Sequence, residues 1–205
     1  MKRLVIIGAS GHGKVIADIA LLLGYDQVDF LDDNSNKKKV GEYVVLGKST
    51  LASQLASLGC DFIVGIGNAE IRERIQKEIE EDGCNIVTLI HPNAMIAHNA
   101  IIGKGSVVMA GAVINTGTVI GDGCIINTCC SVGQDNRIGN FSHISVGAHT
   151  AGEVLVGSRS WLGIGVIVTS NVSICDDCML GAGTVVVNNI CDSGTYVGAP
   201  AKKIK

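Results

Sequence analysis

A chain of 205 residues is long enough for one large domain or two small ones with a real core. A formal net charge of −3 removes any electrostatic reason to expect nucleic acid or an anionic membrane surface as the main partner. With 3% aromatic residues, 47% hydrophobic residues and 27 glycines, the core must be aliphatic and the backbone must turn often, a mixture that points to repetition.

The N-terminus, MKRLVIIGASGHGKV, opens with basic residues and an apolar run that breaks at Gly8. That run is too short for a signal sequence or a membrane span, so a cytoplasmic protein is expected. RLVIIGASGHGKVIADIALLLGY reads as a buried strand, a Gly-rich turn and an amphipathic helix, and QVDFLDDN as a second strand ending in acids. After a further loop, SLGCDFIVGIGNAEIRERIQKEIEEDG supplies another strand, turn and charged helix. Alternating strands and helices imply a small parallel α/β domain. Gly8, Gly11 and Gly13 end the first strand, where backbone N–H groups and a helix N-terminus can face phosphate. Their G-x-x-G-x-G spacing differs from the dinucleotide fingerprint, and a tight turn with capping glycines would read the same way. Asp32 and Asp33 end the second strand about 20 residues further on, where an acid commonly meets a ribose hydroxyl.

From Ile90 to Val186 every sixth residue is Ile, Leu or Val at sixteen of seventeen positions, Thr150 being the exception. A helix repeats every 3.6 residues and a free strand every two, so a strict period of six belongs to a hexapeptide-repeat parallel β-helix. Three hexapeptides make one coil, and seventeen give between five and six coils. Gly follows the aliphatic residue at 103, 121, 133, 139, 157, 163 and 181, where a compact or left-handed corner is expected. Four residues after the aliphatic position the side chain is usually small, and Cys124, Cys130 and Cys178 occupy that slot. The CDDC pair at 175–178 is therefore a coincidence of register rather than a metal or redox motif, and the eight cysteines are expected to be thiols.

VIIGASGHGKV, IGNAEIR, the hexapeptide region, NFSHISVGAHTAG and the closing YVGAPAKKI together resemble the bacterial sialic acid O-acetyltransferase family of sugar acetyltransferases. Within it they look most like the UDP-4-amino-sugar N-acetyltransferases of bacillosamine and perosamine pathways. The resemblance implies a Rossmann-like domain over 1–88 that holds a nucleotide sugar, a left-handed β-helix over 89–190, and a tail over 191–205 near CoA. It implies a homotrimer with acetyl-CoA in the groove between neighbouring β-helices, and no metal. Gly8, Ser10, Gly11, His12, Gly13, Asp32, Asp33 and Asn68 become the candidate sugar-nucleotide residues. His143, Gly152, Gly163, Ala182, Pro200, Lys202 and Lys203 become those for acetyl-CoA, with the lysines available to its phosphates. Trp161 is expected to point outward, as a groove wall, a subunit contact or an ordinary half-buried surface residue.

In the family, the polar cluster just before IG-x-FSH carries a His followed by an acid; here the cluster is Gln134, Asp135, Asn136 and Arg137. Acetyl transfer from a thioester to an amine calls for a base as the tetrahedral intermediate forms, and a glutamine amide can orient an amine but cannot take its proton. Three readings stand: a weakened catalyst in which Gln134 replaces the histidine, a catalyst whose base is Asp135 or His143, or a non-catalytic binder of sugar nucleotides. Gly152 is the position whose N–H is expected to face the thioester oxygen. The expected reaction is direct N-acetylation of the 4-amino group of a UDP- or GDP-linked deoxy-amino sugar for a surface glycan. O-acetylation of a sialic acid-like sugar is the alternative.

Overall fold

The computed structural model describes residues 1–205, which form two compact units, Met1–Pro92 and Asn93–Lys205. The first is an α/β layer. Strands β1 (Arg3–Ile7), β2 (Gln27–Leu31), β4 (Tyr43–Gly47), β5 (Asp61–Val64) and β6 (Asn85–Ile86) pair in parallel, and β3 (Lys39–Val40) adds an antiparallel edge, giving the order β3-β4-β2-β1-β5-β6. Helices α1 (Gly11–Leu22), α2 (Ala52–Ala56) and α3 (Ala69–Glu81) complete the unit. The strands are runs of Val, Ile, Leu and Phe because a parallel sheet buries both faces. Val5, Ile7, Leu31, Phe62 and Val64 pack with Ile75 and Ile79 of α3 in one cluster. The β3–β4 hairpin and α2 lie in the stretch expected to be a plain loop.

The second unit is a left-handed parallel β-helix of two-residue strands joined by tight corners, in which rungs from Met95 to Val186 are offset from their neighbours by 18 residues and the last pairings, such as Cys178 with Gly194, by 16. Its first face stacks Val107, Ile125, His143, Trp161 and Met179 outward; its second, Met95, Val113, Ser131, His149, Ile167 and Val185; its third, Ile101, Val119, Arg137, Leu155 and Ser173. The residue after each outward one is the hexad aliphatic, except Thr150 after His149, and Ile126, Ile144 and Leu162 are 0% exposed. The small slot is interior too, with Ala112, Cys124, Ser142 and Ala148 at 0%.

The corners revise one expectation. The left-handed conformation falls three residues after the aliphatic position, at all fourteen hexads from Gly105 to Gly183, and seven of those residues are not glycine, among them Cys129, Asp135, Phe141 and Glu153. The glycines directly after the aliphatic residue have ordinary φ and serve another need. A Cβ at Gly133, Gly139 or Gly157 would collide with backbone of the coil above, so these positions are glycine for close approach.

Candidate functional site

In the first unit, two loops meet at the carboxyl ends of β1 and β5. Ser10 caps α1, its Oγ accepting from the Gly13 N–H at 3.2 Å and donating to the Gly65 carbonyl at 3.0 Å. Gly8 has φ +112° and its Cα lies against Gly65 and Ile66, while Gly13 has no room for a Cβ beside the Gly8 carbonyl and Phe30. Gly11 is exposed and has open space around it. The N–H groups of Gly11 and His12 make no hydrogen bond within the chain, so the start of α1 offers two free donors.

Asp32 fastens this loop. Its Oδ2 accepts from the Ala9 N–H at 2.8 Å and from Lys37 Nζ at 3.2 Å, and its Oδ1 accepts from the Asn34 N–H at 2.9 Å. Burial alone would raise this carboxyl, but the two N–H groups and the Lys37 ammonium outweigh it and hold it below the usual carboxylate range. Asp33 turns elsewhere, accepting from the N–H and Oγ of Ser49 at 2.9 and 2.8 Å. Asn68 caps α3 through the Ile71 N–H at 2.9 Å.

His12 and Arg72 are the unusual groups of this unit. Arg72 is 1% exposed and its Nη1 donates to the carbonyls of Ile66 and Gly67, both at 2.8 Å. Burial first, and then the Arg72 charge, push the His12 imidazole down to about 4. Its Nε2 is buried with no partner. A neutral imidazole whose buried Nε2 makes no hydrogen bond within the chain is an exception among buried polar groups. Arg72 was not foreseen: an arginine in a charged helix reads as surface, and nothing in its spacing marks it as buried.

In the second unit the expected residues fall into two groups. Gln134 and Asp135 occupy the corner between the second and third faces, and Gly152 lies one coil above Gln134, 18 residues on. The Gln134 amide rests on the Cα of Gly152 and the Asp135 carboxylate on that of Gly117, where added Cβ atoms would collide with them. The side chains therefore diverge toward opposite coils. His143 sits on the first face, nine residues from Gln134 and thus half a coil away, opposite this corner. With it lie Trp161, stacked on its ring at 5.5 Å and 12°, then Gly163 and Ala182 at the edge of that face. Trp161 is 45% exposed, pointing outward as expected. The tail continues this side: Gly194–Val197 pairs with Cys178–Leu180, Lys202–Lys203 folds back on it, and Ala201 donates to the Val185 carbonyl at 2.8 Å, with Pro200 and both lysines exposed.

The tautomer of His143 follows from its neighbour. Asn127 Oδ1 accepts from the Thr128 N–H at 2.8 Å, which turns Nδ2 toward His143 Nε2 at 3.0 Å. Nε2 is then an acceptor and the proton sits on Nδ1. His149, on the second face, has its Nδ1 2.8 Å from Ser131 Oγ. The cysteines are all free thiols. Burial pushes Cys130 up to about 12, and burial together with Cys175 pushes Cys178 to about 12, so neither is a thiolate nucleophile.

Comparison with known proteins fits both units. Residues 3–79 match the PglD N-terminal domain, and residues 87–116 match the bacterial transferase hexapeptide (six repeats). The acetyltransferase domain of PglB from Neisseria gonorrhoeae FA1090, in complex with acetyl coenzyme A, is 40% identical over 99% of each chain, with a TM-score of 0.94. The chain belongs to the hexapeptide-repeat sugar N-acetyltransferase family. PerB from Caulobacter crescentus, in complex with CoA and GDP-perosamine, is 34% identical over all of this chain and 98% of that one, with a TM-score of 0.95. UDP-N-acetylbacillosamine N-acetyltransferase of Bacillus subtilis (strain 168) is 34% identical over 100 residues, 47% of this chain and 46% of that protein, so the match spans about half the length of that relative.

Proposed function

We propose that the protein transfers the acetyl group of acetyl-CoA directly to the 4-amino group of a UDP- or GDP-linked deoxy-amino sugar, for bacterial surface glycan synthesis. The full-length likeness to acetyltransferases solved with acetyl-CoA, CoA and GDP-perosamine carries this reading. The first unit holds the nucleotide: the free N–H groups of Gly11 and His12 and the start of α1 suit a diphosphate, with Ser10 and Gly13 shaping the loop and Gly8 giving it close approach. The unpartnered Nε2 of His12 supplies one further hydrogen bond to it, and Asp32, Asp33 and Asn68 border the same strand ends. No helix is long and apolar enough to cross a membrane.

The transfer site is assembled between copies. Gln134, Asp135 and Gly152 lie half a coil from His143, so one chain cannot gather them around one thioester. A homotrimer in which the corner of one copy faces the first face of the next unites them. Acetyl-CoA lies in that groove, along His143, Gly163, Ala182, Pro200, Lys202 and Lys203, with its phosphates toward the lysines.

The chemistry follows from what each group can hold. The amine attacks the thioester carbon, the oxyanion forms against the Gly152 N–H, the intermediate collapses with loss of the CoA thiolate, and the amine proton leaves to a base or water. Gln134 places the amine by hydrogen bonding and takes no proton, which makes this chain a weakened catalyst. His143 keeps its Nε2 lone pair on Asn127 and presents Nδ1–H as a donor to the CoA. The test is release of free CoA with a UDP-linked 4-amino-trideoxy sugar, for this chain and for Gln134→His. A rise in kcat of about a hundredfold or more with nearly constant KM supports the assignment. Equal, substantial rates move the base to Asp135 or His143, and no turnover in either protein contradicts the amino-sugar reading.

A further inference from the structure

We infer that Asn136 is a positioning residue for acetyl transfer, orienting the Ala151–Gly152 peptide so that the Gly152 N–H is left open to receive the thioester oxygen. The inference rests on the proposed role of Gly152. Asn136 is 0% exposed, in the slot that other coils fill with small or aliphatic residues: Thr118 one coil below, Val154 and Val172 above. Its Nδ2 donates to the carbonyls of Gly133 at 2.7 Å and Ala151 at 2.8 Å, and its Oδ1 accepts from the Val154 N–H at 2.7 Å. One interior amide thus pins the residues immediately before Gln134 and before Gly152.

The consequence for Gly152 is geometric. In a trans peptide the C=O and the following N–H point in opposite directions. With the Ala151 carbonyl held on Asn136, the Gly152 N–H is turned away from it. At another corner of the β-helix the equivalent N–H groups of Lys104, Asp122 and Ser158 are capped by Oδ1 of Asp122, Asn140 and Asp176 in the next coil, at 3.0, 2.9 and 2.8 Å. Above Gly152 stands Ser170, which makes no such bond, and the N–H has no partner within the chain although the residue is buried. The Gln134 N–H is open for the same reason, since the residue above it is Gly152, which has no side chain. A donor fixed before the reaction costs no reorganisation when charge develops on the oxygen.

The corner itself supplies controls that fold. Asn136→Val installs the side chain already used in this slot at Val154 and Val172, and it removes all three bonds. Asn136→Thr restores one: Thr118 Oγ1 donates to the Gly133 carbonyl of the coil above at 2.7 Å, and the same geometry one coil up reaches the Ala151 carbonyl. Two readouts are taken on the full-length protein, steady-state kinetics and the carbonyl stretch of bound acetyl-CoA labelled with 13C at the thioester carbon. We expect the wild-type band to lie below that of free acetyl-CoA, Asn136→Val to return it toward the free position, and Asn136→Thr to recover most of the displacement. In parallel, kcat falls about ten- to a hundredfold in Asn136→Val, with both KM values within about threefold, and recovers in Asn136→Thr. An active wild type whose band and kcat survive Asn136→Val overturns the inference and leaves the proposed function standing. So does a kcat lost equally in both variants with the band unmoved. A wild type that transfers acetyl groups but shows no displaced band overturns the role of Gly152 and, with it, that of Asn136.

Discussion

Gln134 and Asp135 are adjacent in sequence yet lean toward different coils, one over Gly152 and one over Gly117. The polar cluster is therefore two sites of contact, not a proton-relay pair. On the proposed mechanism, glutamine at this place leaves orientation and electrostatics to do the catalysis, and removing a general base typically costs about a hundred- to ten-thousandfold. Gly152→Val should abolish turnover, because the added side chain must displace the Gln134 amide; kcat measured with acetyl-CoA binding intact tests this. His12 carries a pH prediction. Its folded-state value, about 4, lies below the ordinary 6.5, so the unfolded chain binds the proton more tightly. Stability is full above about pH 6.5 and falls as the pH is lowered toward 4, by at most about 3 kcal/mol, and His12→Gln should flatten that fall in urea titrations at successive pH values. The Gln134 departure was legible in the sequence. Asn136 was not, because an amide has no titratable group to mark it as part of a catalytic cluster. Its signal was positional: a large amide in a slot otherwise kept for Ala, Ser, Thr, Cys and Val.

At the scale of elements, the β-helix was legible because its period of six is incompatible with helix or free strand, and the stacked strands keep that period through Val186. The corner chemistry was only half legible. Glycines after the aliphatic residue advertised a turn, but they answer to close approach of the coil above, and the left-handed slot two residues later admits Cys, Asp, Phe, Glu, Arg and Asn. Tertiary stacking there overrides the local preference for glycine, at a cost of about 1–2 kcal/mol per residue. Cys129→Gly, at φ 54° on the exposed side of a corner, should therefore raise stability by up to about 1 kcal/mol, whereas Cys129→Val should lower it; chemical denaturation midpoints give the sign. Ile144→Ala, in the stacked column at 0% exposure, should cost about 2–5 kcal/mol. In the first unit the strand and helix pattern named β1, α1, β2, β5 and α3, while the β3–β4 hairpin was not legible because its first strand, Lys39–Val40, is only two residues long.

For the whole molecule, sequence spacing and the prism together decide what a single chain can do. His143 and Gln134 are nine residues apart in an 18-residue coil, which puts the imidazole opposite the corner that carries Gln134 and Gly152. In the proposed homotrimer each chain offers one half of a site on each of two sides, and the closed ring joins unlike halves at every boundary. Mixing two disabled chains tests this most directly. Gly152→Val spoils the corner and leaves the first face intact, and His143→Ala does the reverse. Both are inactive or nearly so alone, but after unfolding and refolding together about a quarter of the boundaries should pair an intact corner with an intact face, and acetyl transfer should return to about that share of wild type. Activity that stays at the level of the separate variants, in oligomers shown to contain both chains, would contradict a site built between copies.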